Sequence, residues 1–437
     1  MGFLALLSGL WIDSENRFIM GSFIIVVGVI LYFLMVYLVA EENWLDVRAA
    51  FSGVWIVTIG LAALRLNDYQ EQWQRKTWIL LAVAYLIYQV GALIGIRNGE
   101  RVYLRFEKIA SRIKFKKFFF KLKEERLFPI CVVITLLGMT CFLINVAIRG
   151  YIPLFSSNPA AYVEFYTKFH MFSVAATAIS GLCYYCIKTQ PLSLIKKIIL
   201  WGCIVYLVVL FPILVVSRGT FVVAAVPLTV AIYYLNRSKF RIFVLCLVAI
   251  MGIYLLGSNL RGYSDEYLDE HFEPSQTESV MLSPKMAFLY AYLTVSHDNF
   301  NEAVQNTEGY TWGARQFSPF NVILRIDSIR EMRDNGEWYQ VRPHLNTANM
   351  LAVFYYDFHE WGVIVSTFLW AVIFGIMQGF YQKSKGAFSL LVLGYAMNPV
   401  VLSFFASWVN MFTLWVFWGV IFISAVLARI RIRRKEE

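Results

Sequence analysis

Two arginines punctuate otherwise uncharged sequence. Ser217-Arg218-Gly219 separates two long apolar runs, and Arg261-Gly262 ends a third. A guanidinium stays charged, and its planar fork grips a phosphate through two parallel hydrogen bonds. Two such groups at one level on consecutive segments would suit an anionic substrate. Snorkelling of Arg218 to lipid phosphate is the competing reading. His297-Asp298-Asn299 follows the apolar stretch 286–296. Histidine takes up protons near neutral pH, so His297 is a candidate base, or else a hydrogen-bonded interface residue. Arg342-Pro-His344-Leu-Asn-Thr347 brings a second Arg and His to the next apolar segment; a junction capped by Asn346 or Thr347 explains it equally well. Gly309-Tyr-Thr-Trp-Gly-Ala-Arg315 reads as an ordered turn. Sugars stack on Tyr and Trp faces, so Trp312 could line a glycan groove or belong to a local core. Asp357, His359 and Glu360 in the run Phe354–Gly362 form a helix-start cluster or a proton relay.

The elements that carry these residues follow from composition. Of 437 residues, 59% are apolar, 17% are aromatic and only 16% are charged, with net charge +10. That is too apolar for disorder, a coiled coil or an ordinary soluble enzyme, and it points to a membrane protein. A spanning helix needs about 20 apolar residues. Runs of that size lie at 20–40, 47–66, 77–96, 127–148, 169–187, 198–217, 219–236, 242–260 and 361–382. Residues 387–428 are uncharged over 42 positions, enough for two more. The expected fold is an all-α polytopic membrane protein of about 11 transmembrane helices (10–12) with one large external loop. Residues 1–12 are too short to cross, and without a preceding basic stretch they do not read as a cleaved signal peptide.

Lys and Arg in short loops set sidedness. Residues 97–126 carry net +7, and the tail from Arg429 adds five basic residues. Threading puts these on one side, taken as cytoplasmic together with the C-terminus. Their simplest partner is anionic membrane lipid; no nucleic acid is expected. Residues 261–346 then face outward with net −6. So long a segment is more than a connector, and 286–300 is apolar enough to lie along the membrane surface. The divisions are 1–260, N-terminal membrane helices; 261–346, the external subdomain; and 347–437, C-terminal helices with the basic tail.

Missing motifs narrow the chemistry. There is no GxxxxGK[ST] for ATP, no HExxH for zinc, and no Asp-x-Asp in the basic loop for a nucleotide sugar. The six cysteines fall in apolar runs and read as buried thiols, Cys183 and Cys186 included. His170 reads as a structural interface residue.

Taken together, the outer features resemble the Wzy-type oligosaccharide repeat unit polymerases of bacterial surface polysaccharides (O-antigen, capsule or exopolysaccharide). The resemblance runs from spans 47–66 and 77–96 around Asn67-Asp68-Tyr69, through Ser217-Arg218-Gly219, Arg261-Gly262 and the Tyr290-to-Pro319 stretch. It ends at Asn346-Thr347-Ala-Asn349 and Tyr356-Asp357-Phe358…Trp361-Gly362. It implies a glycosyl transfer at the outer face of the bacterial cytoplasmic membrane. The donor is a glycan on undecaprenyl pyrophosphate, and the acceptor is a sugar hydroxyl of a lipid-linked repeat unit. Flippase and chain-length regulator proteins are the implied pathway partners. Arg218 and Arg261 would stabilise the departing pyrophosphate, and His297, or Asp298 or His344, would take the proton. Arg315, Arg342, His344, Asp298 and Trp312 are the substrate-binding candidates. Neither a cofactor nor a metal is expected, since the donor is already activated and Arg can supply the charge. A glycan ligase shares these features. A secondary transporter or flippase would need matched broken-helix halves, which the sequence does not display.

Overall fold

The computed structural model describes residues 1–13, 15–112, 124–156, 164–236, 265–272, 282–320 and 337–428, with isolated positions 241, 244, 252 and 331. The described chain is all-helical. In order, its principal helices are α1 (Arg17–Val39), α2 (Val47–Leu64), α3 (Arg75–Arg112), α4 (Leu127–Arg149), α5 (Lys168–Thr189), α6 (Leu194–Leu214), α7 (Arg218–Leu235), α8 (Asp265–Phe272), α9 (Pro284–Asn306), α10 (Met350–Ser384), α11 (Ala387–Leu402) and α12 (Phe412–Leu427). Eight of these, α1 to α7 and α10, are long and apolar enough to cross a bilayer; α11, α12 and a helix at Gly2–Trp11 are shorter apolar ones. Every expected span up to 219–236 has its helix. The expected span 242–260 falls almost wholly outside the described residues, as do Arg261, residues 113–123 of the basic loop, and the tail from 429.

The chain forms two compact units. One comprises residues 1–97, 263–378 and 398–412; the other comprises 98–262, 379–397 and 413–437.

In the first unit, α2 starts on Asp46, whose carboxylate accepts from Arg48 N at 2.9 Å, an N-cap that satisfies an orphan donor. It ends on Arg65 in the left-handed region (φ 49°). Helices α3 and α10 touch backbone to backbone. A Cβ on Gly95 would stand 2.3 Å from Val372 O, and one on Gly375 would stand 2.3 Å from Ala92 O. Gly91 and Gly95 lie four residues apart on the same face of α3. This is the small-residue packing that lets membrane helices gain dispersion contact where no hydrophobic force distinguishes neighbour from lipid. A separate apolar cluster of Tyr69, Leu268, Phe272, Phe288, Ala291, Val295 and Leu345 ties α8 and α9 to the connecting segments.

In the second unit, α7 begins at Arg218 under a Ser217 cap and carries Pro227 in its interior. Proline removes one helical hydrogen bond. Ser180 of α5 donates to Ala224 O at 3.1 Å beside it, and Gly181 and Gly394 make room for the proline turn.

The glycine contact carries a prediction. Gly95→Leu should force α3 and α10 apart, because a side chain there would enter α10's backbone. Overpacking costs about 1–3 kcal/mol or more. A melting temperature in detergent within one degree of wild type would contradict the contact.

Candidate functional site

Residues 286–300 are apolar enough in sequence for a helix along the membrane surface, yet in α9 Ser296, His297, Asp298, Asn299 and Asn301 are all buried. Instead of lying on a surface with His297 at the interface, the helix is sunk into the first unit. Each polar group is spent on a different neighbour. Tyr290 Oη donates to Leu61 O at 2.8 Å and accepts from Leu66 N, at the end of α2. Ser296 donates to Phe404 O. Asn299 donates to Leu345 O and Thr347 O, and accepts from Val341 N. Asn301 accepts from Gln74 N and Thr77 Oγ1, where α3 begins. A buried polar group without a partner costs about 1–3 kcal/mol, so these bonds are the condition of the helix being there at all.

His297 sits within a directed chain. Asn349 Oδ1 accepts from Ala352 N, so its amide donates to His297 Nδ1 at 3.2 Å. The proton is therefore assigned to Nε2, which donates to Thr58 Oγ1 at 2.9 Å, and the Thr58 hydroxyl donates in turn to Val54 O. Burial lowers the His297 pKa to about 3. The imidazole is neutral, with both nitrogens engaged. Asp298 accepts from Gln70 Nε2 at 2.9 Å and Trp73 Nε1 at 2.8 Å. Burial raises its carboxyl to about 7, against the pull of these two donors and of Arg65. Arg65 is itself lowered by burial and by Arg17.

The second constellation surrounds a break in α10. Phe358 (φ −147°) and His359 (φ 48°, ψ −133°) leave the helical region. A non-glycine residue held there costs of order 1–3 kcal/mol. Gly362 is required at the break, since a Cβ on it would fall 2.0 Å from Phe354 O. The turn 309–317 docks into the gap. Asp357 accepts from Thr311 Oγ1, from Arg315 N at 3.1 Å and from Gln316 N at 2.8 Å, while Thr311 N donates to Tyr356 O. Arg315 is buried, its guanidinium 3.8 Å from the Trp338 ring centroid and 4.1 Å from that of Tyr356, with one N–H donated to Glu337 O. Trp312 projects outward, 66% exposed on a left-handed backbone (φ 49°). At the mouth, Lys76 Nζ reaches Tyr355 Oη at 2.7 Å and Glu360 Oε1 at 2.5 Å.

The structure therefore joins Trp312 and Arg315 at the α10 break, and His297 and Asp298 along α9. His344 is elsewhere. It donates to His271 O at 2.7 Å and borders a cavity of about 70 Å³ between α8 and α9, lined also by Phe272, Tyr292, Thr347 and Phe405. Arg342 is half-buried in the same bend and turn, 341–344, and donates to Val341 O. Arg218, in the second unit, is 9% exposed, which is not the outstretched side chain of a snorkelling arginine. Arg261 lies outside the described residues. Among the described residues, no three His, Cys, Asp or Glu side chains are grouped to hold a metal ion. Sequence reasoning missed Lys76, Gln70, Trp73 and Tyr355. The only signal for Gln70, Trp73 and Lys76 was a polar edge between two spans, and Tyr355 lay unremarked inside the run Phe354–Gly362.

The fold and these sites define a polytopic helical membrane protein whose polar groups are pooled at interruptions of its helices. A family model described as "Putative O-antigen polymerase" matches residues 20–411. The chain belongs to that O-antigen polymerase family, which supports a general role in polysaccharide polymerisation within a membrane. No curated protein and no solved structure matches it.

Asp298 gives this site a pH signature. Its folded pKa of about 7 stands above the ordinary carboxylate value of 3.8. The folded state therefore holds a proton that the unfolded state has lost, and this stabilisation is full below about pH 4 and fades as pH rises to about 7. One such group tilts stability by at most about 1.4 kcal/mol per pH unit. Thermal unfolding in detergent between pH 5 and 8 should show the melting temperature fall, with a flatter slope in Asp298→Asn. Identical slopes in the two proteins would refute the assignment.

Proposed function

We propose that the protein polymerises undecaprenyl-pyrophosphate-linked oligosaccharide repeat units into a surface polysaccharide at the outer face of the bacterial cytoplasmic membrane, with its C-terminus cytoplasmic. Family membership across residues 20–411 is the observation that carries this reading. The growing glycan is the donor. A sugar hydroxyl of an incoming lipid-linked unit attacks the anomeric carbon, forming the new C–O bond. The bond to pyrophosphate breaks, and its electron pair leaves with the lipid phosphate. The hydroxyl's proton passes to a base.

Two demands follow. Charge grows on the leaving pyrophosphate, and fixed donors placed there are worth several kcal/mol each. Arg218 is our candidate, with Arg261 as its expected companion. Arg218 opens α7 behind a turn in which Val216 is left-handed (φ 51°), so guanidinium and helix N-terminus belong to the same few residues. The second demand is a held acceptor sugar. Trp312, on the turn carried by Asp357, offers an aromatic face for it, with Arg315 buried behind. His297 and Asp298 serve as positioning residues, fixing α9 against α2 and the 70–74 segment. Arg342 and His344 remain candidates for glycan contact beside the α8–α9 cavity. The donor is already activated, so no cofactor is proposed. Lipid-linked glycans, membrane lipids and the flippase and chain-length regulator of the same pathway are the proposed partners.

The test is a host deletion complemented with wild type or Arg218→Ala, with surface glycan resolved by gel. Deletion should collapse the ladder to single repeat units. Wild type should restore it, and Arg218→Ala should lose about 10²–10³-fold in transfer. An unchanged ladder in the deletion strain would sink the polymerase reading, and full rescue by Arg218→Ala would sink the arginine's role.

A further inference from the structure

We infer that His359, at the break of α10, is the base that takes the proton from the acceptor sugar hydroxyl. The inference rests on the polymerase reading above and adds to it the group that reading leaves unnamed. Four observations converge on this residue. First, its backbone is held where only glycine is comfortable (φ 48°, ψ −133°), although the position carries an imidazole. Strain kept at a bulky residue marks a position that the fold constrains for a purpose. Second, the ring is clamped between two phenols. Tyr310 stacks on one side at 4.3 Å between centroids, and Tyr355 on the other at 4.9 Å and 9°. Third, Nε2 lies 3.1 Å from Gly309 O, a carbonyl that can only accept. That contact assigns the proton to Nε2 and leaves the lone pair on Nδ1. A backbone carbonyl that fixes the tautomer of a histidine is the device that prepares the other nitrogen for proton transfer. Fourth, the side chain is only half-buried, whereas His297 is fully enclosed.

The surroundings fit a sugar. Tyr310 and Trp312 lie 5.2 Å apart, and both are substantially exposed. Glu360, next in the chain, and Lys76 offer a carboxylate and an ammonium for ring hydroxyls. In the step, Nδ1 accepts the hydroxyl hydrogen as that oxygen bonds to the anomeric carbon and the pyrophosphate leaves. The imidazolium then returns its proton to water or to the departing phosphate, and no further reactant is needed.

Two variants separate this role from a structural one. His359→Gly relaxes the backbone and removes the base, and His359→Gln keeps a donor for Gly309 without a basic nitrogen. Each is tested in detergent-purified protein with lipid-linked repeat units extracted from a polymerase-deficient strain. His359→Gly should melt at or above the wild-type temperature yet transfer about 10²–10⁴-fold more slowly, the usual worth of a positioned base. His359→Gln should be equally slow. Added imidazole should restore the Gly variant at least tenfold and leave wild type unchanged. Wild-type rates from either variant, or a slow Gly variant that imidazole does not rescue, would overturn the assignment. The polymerase reading fails separately: it falls if the wild-type protein makes no ladder from these units, whatever the variants do.

Discussion

The carboxylate of Asp357 is the interaction on which the candidate site depends. A helix of 35 residues does not break on its own, because interrupting it leaves backbone donors and acceptors unpaired in a medium without water. Asp357 resolves this by collecting Thr311 Oγ1, Arg315 N and Gln316 N, so the inserted turn is hydrogen-bonded by the helix it interrupts. Gly362 supplies the space and Thr311 the return bond to Tyr356 O. The strained His359, the outward Trp312 and the buried Arg315 all inherit their positions from that one acceptor. Without it the turn has no reason to enter the helix.

The same rule governs α9. Six of its residues send polar atoms into the first unit, where they meet partners on α2, the 70–77 segment, the 341–349 segment and Phe404. This costs sequence freedom and yields definition: a one-residue slip would strand several buried groups at once, at about 1–3 kcal/mol apiece. The two halves of α10 are referenced to different neighbours for a related reason. Beyond the break, Gly375 packs on α3, and Gln378 bonds Asp46 Oδ2 and Val47 N at the start of α2. Before it, Met350 N donates to Ser403 O, and Asn349 holds His297. Two rigid references meeting within one helix place the discontinuity between them.

How much of this was legible in the sequence depends on which force decided each feature. Spans were readable, because uncharged runs of bilayer length have no other stable environment in which to sit. The turn at Ser217-Arg218 was readable as well, since a charge between two apolar runs marks an end. The placement of 284–306 was not. Its apolar first half fits a surface helix, and whether Ser296 to Asn301 face water or protein depends on Thr58, Gln70, Asn349 and Phe404, distant in sequence. The run Phe354–Gly362 announced polar residues at a helix start, and the helix in fact begins earlier, at Met350, and breaks there. Nothing local distinguishes a start from a break. Only the partner turn at 309–317, some 45 residues away, decides it. Lys76 was invisible for the same reason, as its meaning comes from Glu360.

The distribution of charge across the first unit connects these points. Asp46 and Arg48 at one end of α2 form a buried pair at 2.9 Å, completed by Gln378. Removing one partner from such a pair leaves an uncompensated buried charge, so it works as a strut and has little freedom to react. At the other end of α2 the polar groups differ in kind. Asp298 is closed like that pair, its oxygens taken by two neutral donors, whereas Lys76 and Glu360, beside the α10 break, are half-exposed. A closed cluster is stable because nothing is left to bind. An open one, sited where a helix has been interrupted and rings face outward, keeps capacity for a polar substrate. That difference in completeness, more than the number of charges, is what makes the α10 break our candidate for the place of chemistry.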